Sequence, residues 1–171
     1  MKRALFIGRF QPFHQGHEKI LEIMLADYDE AILVIGSAEE SYTERNPFTA
    51  GERMEMILKA TEEMGVKSRV LPVPIRDINR YDLWVDHVIS LTPAFEAVYT
   101  NNHLTELLFS AKGFKIVKTG PIRRGDFSGT RIRALMAEGE THWRDLVPKS
   151  VASYIDKIDG EKRVRGIYKG E

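Results

Sequence analysis

The chain has 171 residues, no cysteine, and balanced charge, with 25 Lys plus Arg against 25 Asp plus Glu. That length supports a single domain, residues 1–171, which buries roughly 70% of its unfolded surface without a disulfide or metal staple. The lack of cysteine excludes disulfides, zinc–thiolate sites, Fe–S ligation and thiolate nucleophiles, and net neutrality argues against a sequence-independent nucleic-acid binder.

In chain order, an apolar strand is expected at Ala4–Gly8 and a helix from Gln15 to Ala26, with Ile20, Leu21, Met24 and Leu25 on one face. Glu30–Gly36 contains the continuous apolar run Ala31–Ile35, which suits a strand covered on both faces of a parallel sheet. A polar loop over Ser37–Phe48 precedes Thr49-Ala50-Gly51-Glu52, a capping box. It opens a helix whose Met54, Ile57, Leu58, Thr61 and Met64 share a face and which Gly65 ends.

A third strand is expected at Ser68–Val73, closed by Pro74, then a helix at Tyr81–Leu91 with a Val85, Val88, Ile89 stripe. A strand at Phe95–Tyr99, a helix at Leu104–Ala111 and a strand at Phe114–Val117 follow, then a helix at Thr130–Ala137. Pro148 opens a last clear helix carrying Val151, Tyr154, Ile155 and Ile158, and Asp159-Gly160 ends it. The charged tail, Glu161–Glu171, reads as frayed or as an oligomer contact. Strands alternating with helices give an α/β, doubly wound, five-stranded parallel sheet. Such sheets bind ligands beyond the carboxyl ends of their strands, where the strand order reverses. No apolar run reaches membrane-spanning length and no leader pattern precedes the first strand, so a cytoplasmic protein without membrane association is expected.

Two blocks follow strand ends. The first is Gly8-Arg9-Phe10-Gln11-Pro12-Phe13-His14-Gln15-Gly16-His17. A glycine turn that leads into a helix N-terminus is a phosphate cradle, and two histidines add hydrogen-bonding groups to it. Gly8 is expected to let a ligand approach the backbone, and Gly16 to allow a tight turn between the histidines. The second block is Phe127-Ser128-Gly129-Thr130-Arg131-Ile132-Arg133. It places two hydroxyls, a glycine and an arginine at another helix N-terminus, where free N–H groups and the macrodipole favour an anion. From Lys118 to Arg133 five bases (Lys118, Arg123, Arg124, Arg131, Arg133) face one acid (Asp126), a local basic loop suited to a small polyphosphate. Taken singly these features are bland: surface histidines, a strand-end glycine, a plain N-cap. Their pairing at one sheet edge makes the phosphate reading the better one.

The two blocks resemble the His-x-Gly-His and Ser-Ser/Gly-Thr-x-Ile/Val-Arg motifs of the nucleotidylyltransferase superfamily. Asn46-Pro47-Phe48-Thr49-Ala50-Gly51-Glu52-Arg53 and Leu83-Trp84-Val85 narrow the resemblance to the archaeal-type nicotinamide-mononucleotide adenylyltransferases, from Arg3 to about Ile158. The resemblance implies a Rossmann-like nucleotidylyltransferase fold with C-terminal helices. It assigns His14, His17 and Arg133 to catalysis, and Gly8, Arg9, Phe10, Gly16, Ser128, Gly129 and Thr130 to ATP. Arg45, Asp77, Trp84 and Asn102 fall to the mononucleotide, with Arg45 also within reach of a phosphate. Gly129 stands where more distant relatives carry serine, which removes one hydroxyl contact, and Arg131 occupies the motif's variable position.

The implied reaction joins ATP and nicotinamide mononucleotide into NAD and pyrophosphate. The attacking 5′-phosphate has a second pKa of about 6, so it needs no general base, and the sequence supplies no obvious one. It needs in-line placement of two anions and stabilisation of the leaving pyrophosphate. A substrate-bridging Mg²⁺ completes the set, held mainly by phosphates and water; no protein metal site is expected. A homo-oligomer, with a hexamer as one form, is implied as well. Two rivals stand beside this reading. A pantetheine-phosphate adenylyltransferase shares the motifs, but Trp84 after Asp77-Ile78-Asn79 suits a flat pyridine ring better. A non-catalytic nucleotide-binding regulator is the other, and it would have lost a motif histidine or arginine. Aminoacyl-tRNA synthetases also carry His-x-Gly-His, but this chain is too short and too neutral to grip tRNA.

Overall fold

The computed structural model describes residues 1–120, 122 and 127–170. Five strands, β1 (Arg3–Gly8), β2 (Glu30–Ile35), β3 (Val70–Pro74), β4 (Ala97–Tyr99) and β5 (Lys115–Val117), form one sheet in the order β3-β2-β1-β4-β5. Every pairing is parallel. The helices are α1 (Gln15–Asp27), α2 (Ala50–Glu63), α3 (Tyr81–Leu91), α4 (His103–Ala111), α5 (Gly129–Glu138), α6 (Lys149–Lys157) and α7 (Gly160–Lys169).

Alternation along β1 decides the layers. Ala4 and Phe6 point to one face, where α1, α2, α5, α6 and α7 pack; Leu5 points to the other, against Ile32, Val98 and the apolar sides of α3 and α4. Burial on both faces explains the unbroken apolar run of β2. The strand order reverses between β1 and β4, so the crevice beyond Gly8 and Tyr99 is where a ligand belongs. Among the described residues, no helix is long and apolar enough to cross a membrane.

Several expectations need correction. Pro74 does not close β3 but pairs with Ile35 as its last residue, and Pro72 is paired too. The sheet tolerates both prolines because β3 is an edge strand. Lys67–Arg69, the expected strand start, is a 3₁₀ turn. Phe95 lies outside β4 and instead stacks on Phe114 at 4.7 Å. On α3, Ile89 is 42% exposed and leaves Val85 and Val88 to fill the core.

The largest correction is to the frayed reading of the tail. The helix opened by Pro148 does end before Asp159-Gly160, but Asp159 takes a left-handed conformation (φ 53°) and α7 begins at once. A Cβ on Gly160 would lie 2.8 Å from Ile155 Cγ2 and 2.9 Å from Phe48 Cε1, so only glycine lets α7 pack this closely. Val164, with Tyr168 one turn on, gives α7 a core-facing side among its charges. Arg163 forms a bidentate pair with Glu52 (2.6 and 2.8 Å) and docks α7 on the capping box that starts α2.

Candidate active site

The cavity at the sheet's switch point holds about 220 Å³ and is lined by the ends of β1 (Phe6, Ile7) and β4 (Tyr99), and by Thr100, Asn102, Gly16 and His17. The two helix N-termini expected to cradle phosphate meet there. Phe127, just before α5, lies so close to α1 that a Cβ on Gly16 would come within 3.1 Å of Phe127 Cβ.

His14 is the N-cap of α1 and His17 sits in its first turn. Their rings stack at 3.6 Å between centroids. His17 Nδ1 accepts the His14 backbone N–H at 3.1 Å, so a neutral His17 carries its proton on Nε2, free to donate. Burial pushes the His14 pKa down to about 4, and burial together with His14 holds His17 well below the ordinary imidazole range. Near neutral pH the cradle therefore presents neutral imidazoles. His14 Nδ1 is buried and has no partner among the described residues, as a group reserved for a ligand or water would be. Next to His17, the Glu18 carboxyl is pushed up to about 7 by burial, then by Glu63 and Glu22.

The structure shows what the first block's other residues pack against. Phe10 is 1% exposed, and its ring is turned into the core, where it meets His17 at 4.7 Å and buttresses the histidine. Its ring also covers Gly8, at 3.0 Å from where a Cβ would stand. A side chain at position 8 would therefore press on the Phe10 ring. Gly16 forms no turn; it is helical, and it is glycine because the His14 ring leaves a Cβ only 2.9 Å.

Arg133 is buried, and its guanidinium donates to the carbonyls of Gln11 (2.8 Å) and Glu44 (3.0 Å) and to Thr130 Oγ1 (3.5 Å). These partners orient the fork across the α5 N-terminus. Burial lowers the Arg133 pKa, and Tyr168 from α7 opposes that shift. Gly129 has no space for the serine of distant relatives without rearrangement: a Cβ would meet Arg133 Nη1 at 2.9 Å and the Gln11 carbonyl at 3.1 Å. Ser128 Oγ accepts the Arg131 N–H at 3.1 Å and so caps α5, leaving its own O–H to donate.

Arg9, Arg45 and Arg133 form an electrostatic group. Burial holds the Arg9 pKa below the usual guanidinium value, Arg45 and then Arg133 add to that, and Asp77 and Glu40 oppose it. Arg45 is exposed and acts on Arg133 as well, so it stands electrostatically with Arg9 and Arg133. Asp77 and Trp84 line a separate pocket of about 170 Å³ with Asn79, Arg80, Leu104 and Leu108. Trp84 is partly buried and packs beside the second core cluster. Asn102 belongs to the main cavity instead, and its Oδ1 caps α4 by accepting the Thr105 N–H at 3.0 Å. The structure thus brings His14, His17, Gly16, Asn102 and the α5 N-terminus together, and sets Asp77 and Trp84 one pocket away. Arg123, Arg124 and Asp126 of the basic loop lie outside the described residues.

Three contributors were given no role by the sequence, although Gln11 and Arg53 stand inside the quoted motifs. Gln11 locks the phosphate turn to the start of α2: its Nε2 donates to the Phe48 carbonyl and its Oε1 accepts the Phe48 N–H, both at 2.9 Å. Arg53 is fully enclosed on the buried stripe of α2. Tyr168 lies in the segment read as a frayed tail.

Residues 5–135 match the cytidylyltransferase-like family. The chain is 50% identical over 167 residues to the nicotinamide-nucleotide adenylyltransferase of Pyrococcus furiosus, covering 96% of this chain and 88% of that protein. It is 48% identical over 169 residues to the enzyme of the same name from Archaeoglobus fulgidus, covering 96% and 97%. A crystal structure of a bifunctional NMN adenylyltransferase/ADP ribose pyrophosphatase from Francisella tularensis, complexed with AMP and a Mn ion, superposes with a TM-score of 0.73 at 20% identity. That superposition covers 97% of this chain and 51% of the larger one, so the chain spans about half the length of that structure.

Proposed function

The chain belongs to the cytidylyltransferase-like family and, within it, to the nicotinamide-nucleotide adenylyltransferases. From that premise we propose that the convergent cradle of α1 and α5 binds the ATP polyphosphate while the Asp77–Trp84 pocket takes the nicotinamide mononucleotide. The mononucleotide's 5′-phosphate oxygen forms a bond to the α-phosphorus, and the bond to the α,β-bridging oxygen breaks. The products are NAD and pyrophosphate.

The observation that carries this reading is the meeting of two helix N-termini with His17 and the Arg9, Arg45, Arg133 group at the sheet's switch point. Free N–H groups and helix dipoles favour anions there. His17 lines the cavity, and with Nδ1 taken by the His14 N–H its Nε2–H is the donor left for phosphate oxygens, while backbone carbonyls hold the Arg133 fork in place for anion contact. The attacking phosphate is ionised near neutral pH, so no side chain has to remove a proton. Among the described residues, no cluster of three or more His, Asp or Glu side chains could hold a metal. A divalent ion, Mg²⁺ in this reading, enters as part of the metal–ATP substrate.

We also read the protein as a homo-oligomer. Leu83, Ile89 and Leu91 on α3, and Leu107 on α4, are exposed on the layer that covers one sheet face. Burying that layer against copies of itself would remove the apolar exposure, and light scattering measures the assembly.

Pyrophosphate release from ATP, with nicotinamide mononucleotide, nicotinate mononucleotide and phosphopantetheine as parallel acceptors, tests the reaction. NAD formation with a divalent metal supports it. Turnover with phosphopantetheine and none with either mononucleotide would move the chain to the rival activity.

A further inference from the structure

Arg53 stands out because it is a fully buried cation whose hydrogen bonds all go to backbone carbonyls. Nη1 donates to Arg9 O (3.0 Å) and Gly36 O (2.9 Å), Nη2 to Ser37 O (3.0 Å) and Glu40 O (3.4 Å), and Nε to Thr49 O (3.3 Å). Taking a guanidinium out of water costs several kcal/mol. An aliphatic side chain would fill this stripe of α2 without that cost. Burial pushes the Arg53 pKa down to about 10, opposed mainly by Glu39, so the group still carries its charge at neutral pH.

The carbonyls it collects belong to the segments that carry the two substrates. Arg9 lies on the β1–α1 turn with the phosphate cradle. Ser37 follows β2, and its hydroxyl donates to Asp77 Oδ2 at 2.7 Å. Asp77 lines the pocket that contains Trp84, and Glu39 from the same loop accepts the Asp77 N–H. One guanidinium therefore spans from the ATP turn to the loop that places the acceptor pocket. In-line transfer depends on that relative placement, because a misplacement of about 1 Å costs on the order of a hundredfold in rate.

We infer that Arg53 is a positioning residue that fixes the donor and acceptor half-sites relative to each other, through the Arg9 carbonyl on one side and Ser37–Asp77 on the other. This rests on the assignment of Asp77 and Trp84 to the mononucleotide.

The test uses Arg53→Lys, Ser37→Ala and the double variant, assayed well below each variant's melting midpoint with ATP and nicotinamide mononucleotide varied separately. Lysine keeps the charge but cannot span five carbonyls with one ammonium, so kcat should fall by about tenfold or more. Ser37→Ala removes one hydrogen bond on the acceptor side and should raise KM for the mononucleotide roughly threefold, with KM for ATP unchanged. In the Arg53→Lys background the same change should add little, because the link is already broken.

An Arg53→Lys variant that melts earlier but keeps wild-type kcat and both KM values makes Arg53 purely structural and overturns the inference. Full additivity in the double variant overturns it too. If Arg53→Lys does not fold, Ser37→Ala decides alone: an unchanged mononucleotide KM removes the acceptor-side link. Wild-type protein that forms no NAD refutes the functional reading itself, a different result from a variant that behaves like an active wild type.

Discussion

Gly16→Ala sets two effects of similar size against each other. Gly16 is the second residue of α1 and is helical, so alanine there should stabilise the helix by at most about 1 kcal/mol. The added methyl, however, would lie 2.9 Å from His14 Cε1, 3.0 Å from His14 Nδ1 and 3.1 Å from Phe127 Cβ. The His14 ring cannot swing away freely. It stacks on His17 at 3.6 Å, and His17 is backed by Phe10 at 4.7 Å and Phe13 at 5.3 Å. Overpacking of this kind costs about 1–3 kcal/mol, so the net change is a destabilisation of about 0–3 kcal/mol. At roughly 2–4 °C per kcal/mol for a chain of this size, the midpoint should fall by no more than about 12 °C. The effect on rate should be larger, because the strain is relieved by moving both histidines: kcat should drop on the order of 10–100-fold. Differential scanning calorimetry and NAD formation measure the two quantities on one sample. A variant that melts higher than wild type and keeps its kcat would show that the histidine stack tolerates displacement, and the argument for a preset cradle would fail.

Arg133→Lys keeps a cation but cannot reproduce the fork that reaches Gln11 O, Glu44 O and Thr130 Oγ1; kcat/KM for ATP should fall by about 10–100-fold, with circular dichroism unchanged. Trp84→Ala should raise KM for the mononucleotide by up to roughly tenfold through loss of a cation–π face, and a sharp fall in melting temperature with both KM values intact would make Trp84 a core residue instead. His14 binds a proton less readily in the folded chain (about 4) than in the unfolded one (6.5), so it favours folding above pH 6.5 and that contribution is lost as pH falls toward 4. The full difference is about 3 kcal/mol, and urea titrations of wild type and His14→Asn across this window isolate it, since Glu18, whose raised pKa acts with the opposite sign, is common to both. Identical pH profiles for the two proteins would mean that His14 is not held neutral by burial.

Much of the site was legible because it depends on short-range pattern. Strand, glycine, histidine pair and helix N-cap are consecutive residues, and their spacing alone places N–H groups at a strand end. The same holds for Ser128–Arg133. What escaped was whatever depends on which way a side chain turns. Phe10 and Gly8 sit inside the motif, yet Phe10 folds back over Gly8 into the core. Arg53 is a charged residue on a helix, ordinarily a solvated position, and only the tertiary placement of five carbonyls makes its burial favourable. The frayed reading of the tail failed because its charges hide Val164 and Tyr168, four residues apart on the side of α7 that packs on the core. Gly160 was read correctly as following the end of the preceding helix, but nothing in the sequence showed that its lack of a Cβ also lets α7 dock.

The electrostatic design follows from these placements. A pocket for a polyphosphate that carried two imidazolium ions beside three arginines would repel itself when empty. Here burial keeps both histidines neutral, and their stacking at 3.6 Å reinforces that state. Positive charge is instead carried by guanidiniums, of which Arg133 is held in place by backbone carbonyls and Arg53 is sunk beneath the turn. Helix N-termini add partial charges that need no counter-ion and no reorganisation. A cradle of this type is preset in geometry yet only partly charged before the ligand arrives, so the anion supplies the remaining driving force for drawing protons and donors toward itself. Arg163 and Tyr168 show that the C-terminal helix belongs to this design. One pairs with the carboxylate of the α2 capping box and lies over the Tyr42 ring at 4.9 Å, in the loop that bears Arg45, and the other acts on Arg133 itself. The last turn of the chain thus closes the scaffold around Arg45 and Arg133 rather than trailing from it.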